Sequence, residues 1–234
     1  MRSFDYIESG KTLLTPHTTS LLAAIHEAKG RQSIQTTIRP DILGTLVAVA
    51  RIQSTDASNR IEGISTSDSR LNDLVSEKVT PRNRNEEEIA GYRDALSVIH
   101  ESHDYIPITP NVILQLHRDL FRHTPLTFAG HFKDSDNVII ERDAHGTSTV
   151  RFAPPSALVT PELIERACSA YTQAIRDGHT DPLLAIAMFI LDFICIHPFN
   201  DGNGRMSRLL TLLMLYRNGY MVGKYISIEH LIEQ

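Results

Sequence analysis

A short polar segment, His197–Arg208, holds most of the residues in this chain that could do chemistry. It reads HPFNDGNGRMSR and lies between two apolar runs, AIAMFILDFICI before it and LLTLLMLY after it. Apolar runs of this length are typical of helices in a protein core. A histidine, a carboxylate, glycines and arginines gathered between two core helices predict an active-site loop that binds an anion.

The glycine-rich centre of this segment predicts a phosphate site. Successive backbone N–H groups of Gly202, Asn203 and Gly204 can form an anion-binding nest, and glycine permits a positive φ and close approach of a ligand. A helix is predicted to begin there, so the helix dipole also favours an anion. Arg205 and Arg208 are three residues apart and are predicted to share a helix face on one side of the nest. Together these features favour a polyphosphate.

Two further residues of the segment indicate the reaction. Asp201 directly precedes the nest and can hold Mg²⁺, which prefers one or two carboxylates together with phosphate oxygens. His197 ends the preceding apolar run, and its neutral imidazole can take the proton from an incoming hydroxyl. The residues therefore predict attack by a hydroxyl group on a phosphate of a Mg²⁺-bound nucleotide, with nest, metal and arginines stabilising the developing charge.

The elements that position this segment are predicted to be helices, so the fold class is mainly α. Residues 1–16 are predicted to be irregular, Gly30 is predicted to stop the first helix, and the helix that begins at Pro40 is predicted to break near Ser54. The predicted helices are 18–29, 40–54, a short one ended by Gly63, 71–75, 86–101, 112–122, 160–176, 182–196, 203–217 and 227–234. We expect residues 1–84 to form an N-terminal helical region and residues 85–234 the catalytic core.

One β-hairpin is predicted within residues 128–155. The runs VII and TSTV flank a polar turn that contains Asp143 and Gly146. Because an isolated hairpin is only marginally stable, we expect it to pack on the neighbouring helices.

Composition excludes several classes of protein. The 234 residues carry a net charge of −5 without a long basic run, which argues against a nucleic-acid partner. The longest apolar stretch, Leu183–Pro198, is interrupted by Asp192 and is shorter than a membrane span. The N-terminal residues lack the pattern of a signal peptide, so a cytoplasmic protein is predicted. Cys168 and Cys195 are predicted to be free, buried thiols.

Other histidines offer little chemistry by their spacing. His100 and His103 lack the companions of a metal site and are predicted to lie on the surface or on a helix face. His117 is predicted to be a partly buried core residue. Cys195 lies two residues before His197, but its apolar helical context predicts that it points into the core instead of forming a nucleophilic pair.

The segment from His197 to Arg208 resembles the signature of the Fic (filamentation-induced-by-cAMP) family at every defining position. Members of that family typically transfer the AMP part of ATP onto a hydroxyl side chain of a target protein, a reaction called AMPylation. The resemblance implies His197 as the base, Asp201 as the Mg²⁺ ligand and residues 202–204 as the phosphate nest. It also implies phosphate contacts by Arg205 and Arg208.

The predicted hairpin, roughly residues 132–152, resembles the flap of the same family. A target segment docks on that flap by adding a strand to it. Lys133 stands where many relatives carry an arginine, which leaves the contacts at the flap entrance open. The residues that the resemblance assigns to target docking are Val138, Ile139 and Ile140.

An upstream segment, Ser58–Gly63, reads SNRIEG and resembles the family's inhibitory motif [S/T]xxxE[G/N]. Its place before the core resembles the class with an N-terminal inhibitory helix. The resemblance implies that Glu62 pairs bidentately with Arg208, so that ATP binds with its α-phosphate misplaced. In some relatives the same glutamate positions a water and the enzyme removes AMP. A restrained transferase and a hydrolase of the modified protein therefore both fit.

The resemblance covers about residues 40–234 and leaves other functions open. The fold could serve as a nucleotide- or partner-binding module without turnover, although His197 and Asp201 are both present. The transferred group could instead be UMP, phosphate or phosphocholine, but Gly204 and Arg205 resemble the AMP-transferring members more closely.

The implied partners are ATP and a target protein with a serine, threonine or tyrosine hydroxyl. Relatives often form homodimers, and some modify themselves. Tyr171, Tyr216 and Tyr220 fit either core positions or self-modification sites.

Overall fold

The computed structural model describes residues 4–38, 40–142, 146 and 148–234, and within them the chain is mainly helical, as predicted. The helices are α1 Tyr6–Leu13, α2 Pro16–Ile38, α3 Pro40–Arg60, α4 Asp68–Val75, α5 Arg84–Ser102, α6 Pro110–Leu120, α7 Thr160–Asp177, α8 Pro182–Ile196, α9 Asn203–Arg217, α10 Val222–Tyr225 and α11 Ile228–Glu233. The strands are β1 Ile139–Arg142 and β2 Ser148–Phe152. Among the described helices, none has the length and apolar content that a membrane span requires.

Helix α9 lies at the centre of the fold. It packs against α8, α5, α6 and α3. Met206, Leu209, Leu210 and Leu213 of this helix are fully buried, and they join the main core with residues of α5 to α8. Because α8 and α9 are both anchored in this core, the loop between them, residues 197–202, is held at both ends.

Local capping chemistry accounts for where the core helices begin. The Asn83 side chain accepts from the backbone N–H of the third residue of α5, and Thr109 caps α6 in the same way. Asp181 caps α8, and Ser227 caps α11. Each cap satisfies a backbone donor that has no partner inside its helix.

The N-terminal helices differ from the sequence-based prediction in three places. Residues 6–13 form α1 instead of irregular chain, and α2 continues through Gly30. Glycine inside a helix costs only about 1 kcal/mol, so it does not force a stop. The predicted break near Ser54 is also wrong, because Ser54 and Thr55 are buried and α3 runs on to Arg60. The apolar pattern fades there because this stretch buries polar side chains.

Gly63 ends the helical segment, as predicted. Gly63 adopts a φ of +75°, and the N–H groups of Ile64 and Gly63 donate to the carbonyls of Asn59 and Arg60. This pair of bonds is a Schellman motif, and it turns the chain immediately after Glu62.

The hairpin forms where it was predicted, and its packing on the helices is slight. Ile140 pairs with Val150 and Arg142 with Ser148 in an antiparallel register, with an irregularity between Ile139 and Ile140. All of β2 is exposed to solvent, although its last residue, Phe152, lines a pocket together with Leu163 of α7 and Ile196 of α8. Asp143 of the predicted turn lies outside the described residues.

Among the described histidines, His100 and His117 are buried, whereas His100 was predicted to lie on the surface or on a helix face. His100 packs edge-on against Tyr216, and burial lowers the pKa of both His100 and His117 to about 4. Each ring is therefore neutral in the folded protein at pH 7, while its pKa in the unfolded chain is about 6.5.

We expect this difference to make the protein less stable in acid. Between pH 6.5 and 4 the unfolded chain binds protons that the folded protein excludes, so the free energy of unfolding falls by up to about 3 kcal/mol per buried histidine. Chemical denaturation at several pH values measures the slope. His100→Gln should make the slope shallower by up to one proton, and an unchanged slope would contradict the assignment.

Candidate active site

His197 is the residue at which α8 ends. It takes a left-handed backbone conformation, with φ 51°, and its side chain is half-buried. Burial lowers the pKa of His197, the nearby charge of Lys133 lowers it further, and the Ile194 carbonyl and Glu62 oppose these effects. The imidazole is therefore neutral at pH 7 and able to accept a proton, as a general base requires.

The loop after His197 is closed by one side chain of α9. Asn203 accepts from the Phe199 N–H at 2.9 Å and donates to the Phe199 carbonyl at 2.8 Å, and both residues are buried. Gly202 has a φ of +81°, and a Cβ there would lie 2.8 Å from the Phe121 ring. This close fit presents the first N–H groups of α9, which have no partners within the helix, at the predicted nest.

Asp201 is the half-exposed carboxylate of the loop. Its Oδ1 accepts from the Gly202 N–H at 2.6 Å, and its Oδ2 lies 3.7 Å from Arg84 Nη2. The described residues contain no cluster of three metal-ligating side chains. One accessible carboxylate beside a nest fits a Mg²⁺ ion that takes its other ligands from phosphate and water.

Arg205 occupies a different position from the one predicted. Its side chain is buried, its Nη1 lies 2.6 Å from Glu88 Oε2 on α5, and its guanidinium covers the Phe121 ring at 5.1 Å. Arg205 and Arg208 therefore contact different helices. Arg205 Nη2 lies 3.8 Å from Asp201 Oδ1, and its Nε has no hydrogen-bond partner among the described residues. This nitrogen is buried, so a phosphate contact by Arg205 stays a prediction.

Glu88 links the two arginines that flank Asp201. Its Oε1 accepts from Arg84 Nε at 2.8 Å, while its Oε2 faces Arg205. The Glu88 side chain is only 4% exposed, so its charge compensates the buried guanidinium of Arg205. Sequence reasoning missed this role, because the partner Arg205 lies far along the chain, in α9.

Replacing Glu88 with glutamine is expected to destabilise the folded protein by roughly 2–3 kcal/mol. The isosteric amide leaves the buried charge of Arg205 without its counter-ion. Thermal or chemical unfolding measures the change, and Glu87→Gln, at the neighbouring and only partly buried position of α5, is the matched control. Equal stability of the two variants would contradict this account.

Arg208 is held by residues at the end of α3. Its Nε donates to Ser58 Oγ at 2.8 Å, and its Nη2 donates both to the Ser58 carbonyl at 2.9 Å and to Glu62 Oε1 at 2.7 Å. The predicted bidentate carboxylate pair is therefore wrong in geometry, because Ser58 takes the donors that the second carboxylate oxygen would have used.

The Glu62 carboxylate lies directly against the predicted nest. A Cβ added to Gly204 would come 2.2 Å from Glu62 Oε1 and 3.3 Å from Arg208 Nη1. Glycine at this position therefore lets a carboxylate oxygen reach the first turn of α9, where a phosphate oxygen would also be favourable.

The C-terminal helix α11 braces the end of α3. Arg60 donates from Nε and Nη2 to the two carboxylate oxygens of Glu233, each at 2.7 Å. Tyr92 donates to Glu229 at 3.0 Å from a fully buried position that also adjoins Ser58. These contacts fix the backbone that carries Ser58 and Glu62.

Lys133 connects the segment before the hairpin to the loop. It is buried, its Nζ donates to the Ile196 carbonyl at 3.2 Å and to Asn137 Oδ1 at 3.0 Å, and its N–H donates to the Pro198 carbonyl at 2.8 Å. The lysine thus supports the backbone on both sides of His197. Val138 and Ile140 are 51% and 53% exposed, and Ile139 is partly buried, so the docking residues remain accessible to a partner.

The remaining reactive side chains lie away from this chemistry. Burial raises the pKa of the Cys168 thiol to about 12, whereas Cys195 is partly exposed instead of fully buried as predicted. The three tyrosines weighed as modification sites are core residues. Tyr171, Tyr216 and Tyr220 are each at most 5% exposed.

Comparison with known proteins finds a family that matches part of the chain. Residues 107–215 match the sequence model of the Fic/DOC family. A Fido domain-containing protein of Dictyostelium discoideum is 37% identical over 90 residues, which cover 37% of this chain and 58% of that protein. The protein adenylyltransferase fic-1 of Caenorhabditis elegans is 28% identical over 145 residues, which cover 58% of this chain and 25% of that protein.

A solved structure shows the same fold. The Fic domain-containing signalling protein of Bacteroides thetaiotaomicron superposes with a TM-score of 0.70 at 24% identity, and the match covers 85% of this chain and 73% of that one. Residues 107–215 therefore resemble a Fic/DOC domain in sequence, and the chain resembles a solved Fic structure in fold. It spans only part of the curated relatives that it matches.

Proposed function

We propose that this protein is a protein adenylyltransferase that transfers AMP from ATP to a hydroxyl side chain of a target protein. The observation that carries the proposal is the arrangement of one loop, which brings a neutral His197, the accessible Asp201 and the N-terminus of α9 together. The adenylyltransferase of Caenorhabditis elegans, which aligns with part of this chain, supports the same class of reaction.

Each residue of the loop has a distinct task in this reaction. His197 takes the proton from the attacking hydroxyl as its oxygen bonds to the α-phosphorus of ATP and pyrophosphate leaves. The first N–H groups of α9 stabilise charge on the phosphates. Arg208 binds the γ-phosphate once its guanidinium is released from Glu62. Asp201 would hold Mg²⁺, which supplies neutralisation of phosphate charge when bound. The target segment docks along the exposed edge of the hairpin at Val138 and Ile140.

We further propose that the contact between Glu62 and Arg208 restrains this reaction. The Glu62 carboxylate lies against the first turn of α9 and accepts a hydrogen bond from Nη2 of Arg208. A triphosphate needs the same surface and the same arginine. ATP therefore competes with an internal carboxylate, and the restraint is relieved when α3 shifts.

The position of the isotope in labelled ATP tests the reaction directly. With Glu62→Gly protein, Mg²⁺ and a cell lysate, α-labelled ATP should label protein and γ-labelled ATP should not. Mass spectrometry should then find an AMP adduct on a serine, threonine or tyrosine. Label from the γ-position would indicate phosphate transfer, and label from neither would count against catalysis and in favour of a binding module.

A second function, removal of AMP from a modified target, rests on the same glutamate. Glu62 is partly exposed and lies beside the loop, where a carboxylate could orient a water for attack. Incubating an AMP-modified target with wild type and with Glu62→Gly distinguishes the two functions. Release of AMP by wild type alone supports the hydrolase, and equal release by both proteins excludes this role for Glu62.

A further inference from the structure

His117 connects α6 to the catalytic loop across 84 residues of sequence. Its side chain is fully buried, and its Nε2 lies 3.1 Å from the backbone carbonyl oxygen of Asp201. The sequence pattern predicted only a partly buried core residue at this position. A core position alone does not require a directional bond to the loop.

The partners of His117 determine which ring nitrogen carries the proton. The Gly130 N–H donates to Nδ1 at 2.9 Å, and a backbone amide can only donate. The Asp201 carbonyl can only accept, so Nε2 carries the hydrogen. The ring is also parallel to Phe199, with centroids 3.7 Å apart and planes 1° apart. Two hydrogen bonds and one stacking contact therefore fix the orientation of the imidazole.

We propose that His117 is a positioning residue that holds the Asp201 peptide group and so directs the Asp201 carboxylate. Asn203 fixes the loop at Phe199, and His117 fixes it again at Asp201. Between these two points the chain has little freedom to rotate. The inference rests on the proposed function, because it assigns to Asp201 the task of holding Mg²⁺.

Gly130 makes this arrangement depend on the segment that leads to the hairpin. It has a φ of +79°, and a Cβ there would lie 2.9 Å from Arg118 Nε and 3.0 Å from Arg118 Cβ. The close approach brings the Gly130 N–H to His117. His117 thus joins α6, the approach to the hairpin and the loop in one hydrogen-bonded chain.

Two amide substitutions separate the hydrogen bonds. In His117→Gln the side-chain amide can reach the position of Nε2 and donate to Asp201, whereas in His117→Asn the shorter side chain can accept from Gly130 but cannot reach Asp201. His117→Phe keeps the stacking on Phe199 and removes both bonds. All three are made in the Glu62→Gly protein, so that ATP has access to the loop.

Calorimetry measures ATP binding at a series of Mg²⁺ concentrations. The quantity compared between variants is the Mg²⁺ concentration that half-saturates the Mg²⁺-dependent part of ATP binding. We expect Asn and Phe to raise this concentration by about 10-fold, the lower end of the effect of residues that support metal ligands, and Gln to raise it much less. ATP binding in the presence of a chelator should be the same in all variants. Equal Mg²⁺ requirements for Asn and Gln, or a greater one for Gln, would overturn the proposal.

Nitrogen NMR of the histidine rings in the Glu62→Gly protein measures which nitrogen of His117 carries the hydrogen. This test does not require the His117 variants to fold. The His117 ring should be neutral with its hydrogen on Nε2, and a hydrogen on Nδ1 would overturn the proposal. The proposed function fails separately. If no variant transfers AMP while the order of Mg²⁺ requirements holds, His117 keeps its positioning role and adenylyl transfer is excluded.

Discussion

Replacing Glu62 with glycine is expected to raise ATP binding and AMP transfer by about 10- to 100-fold. The contact between Glu62 and Arg208 is a charge-assisted hydrogen bond at 2.7 Å, and such bonds contribute about 1.5–3 kcal/mol, which corresponds to this range. The Glu62 side chain is 35% exposed, so solvent screening favours the lower end. Calorimetry with ATP and transfer of α-labelled AMP measure the two quantities.

Two further variants decide whether the gain comes from freeing Arg208. Glu62→Gln keeps a hydrogen-bond acceptor but loses the charge, so its gain should fall between wild type and Glu62→Gly. Adding Arg208→Ala to Glu62→Gly should remove most of the gain, because the freed arginine is then missing. An equal ATP affinity of wild type and Glu62→Gly, with thermal unfolding unchanged, would show that Glu62 does not restrain the site.

The contact between Glu62 and Arg208 was predictable from sequence only in outline. The pattern of Ser58–Gly63 and the composition of the loop indicated which two segments should meet. The hydrogen bonds from Arg208 to Ser58 could not be predicted from the sequence pattern, because they depend on how the end of α3 is rotated against α9. That rotation is fixed by contacts with α5 and α11, such as Tyr92 with Glu229, which are distant in sequence.

In the fold as well, features set by local sequence were predicted, and features set by distant contacts were not. Helices that begin with a capping side chain, such as α5, α6 and α8, were predicted within a few residues, because the cap is a local signal. The prediction failed at Gly30, because one glycine costs a helix only about 1 kcal/mol. It failed at Ser54, because this part of α3 buries polar side chains. Glu88 and His117 were missed because their partners lie in α9 and the loop, more than 80 residues away.

The His197 site contains a feature that affects how its mutants must be read. His197 has a positive φ of 51°, a conformation that asparagine tolerates better than alanine. His197→Ala therefore combines loss of the base with about 1 kcal/mol of backbone strain. His197→Asn removes the base with less strain, so a comparison of the two separates chemistry from loop geometry.

In the Glu62→Gly protein, both His197→Asn and His197→Ala are expected to lower kcat by about 10²- to 10⁴-fold, the usual contribution of a general base. The KM for ATP should change little, because the nest and Arg208 remain. With His197 present, kcat should fall as pH drops through its lowered pKa, below 6.5, because the protonated ring cannot accept a proton. Steady-state transfer of α-labelled AMP between pH 5 and 8 measures this limb. If the His197→Asn variant keeps a kcat near that of the parent protein, His197 is not the base, and positioning by the nest carries the reaction.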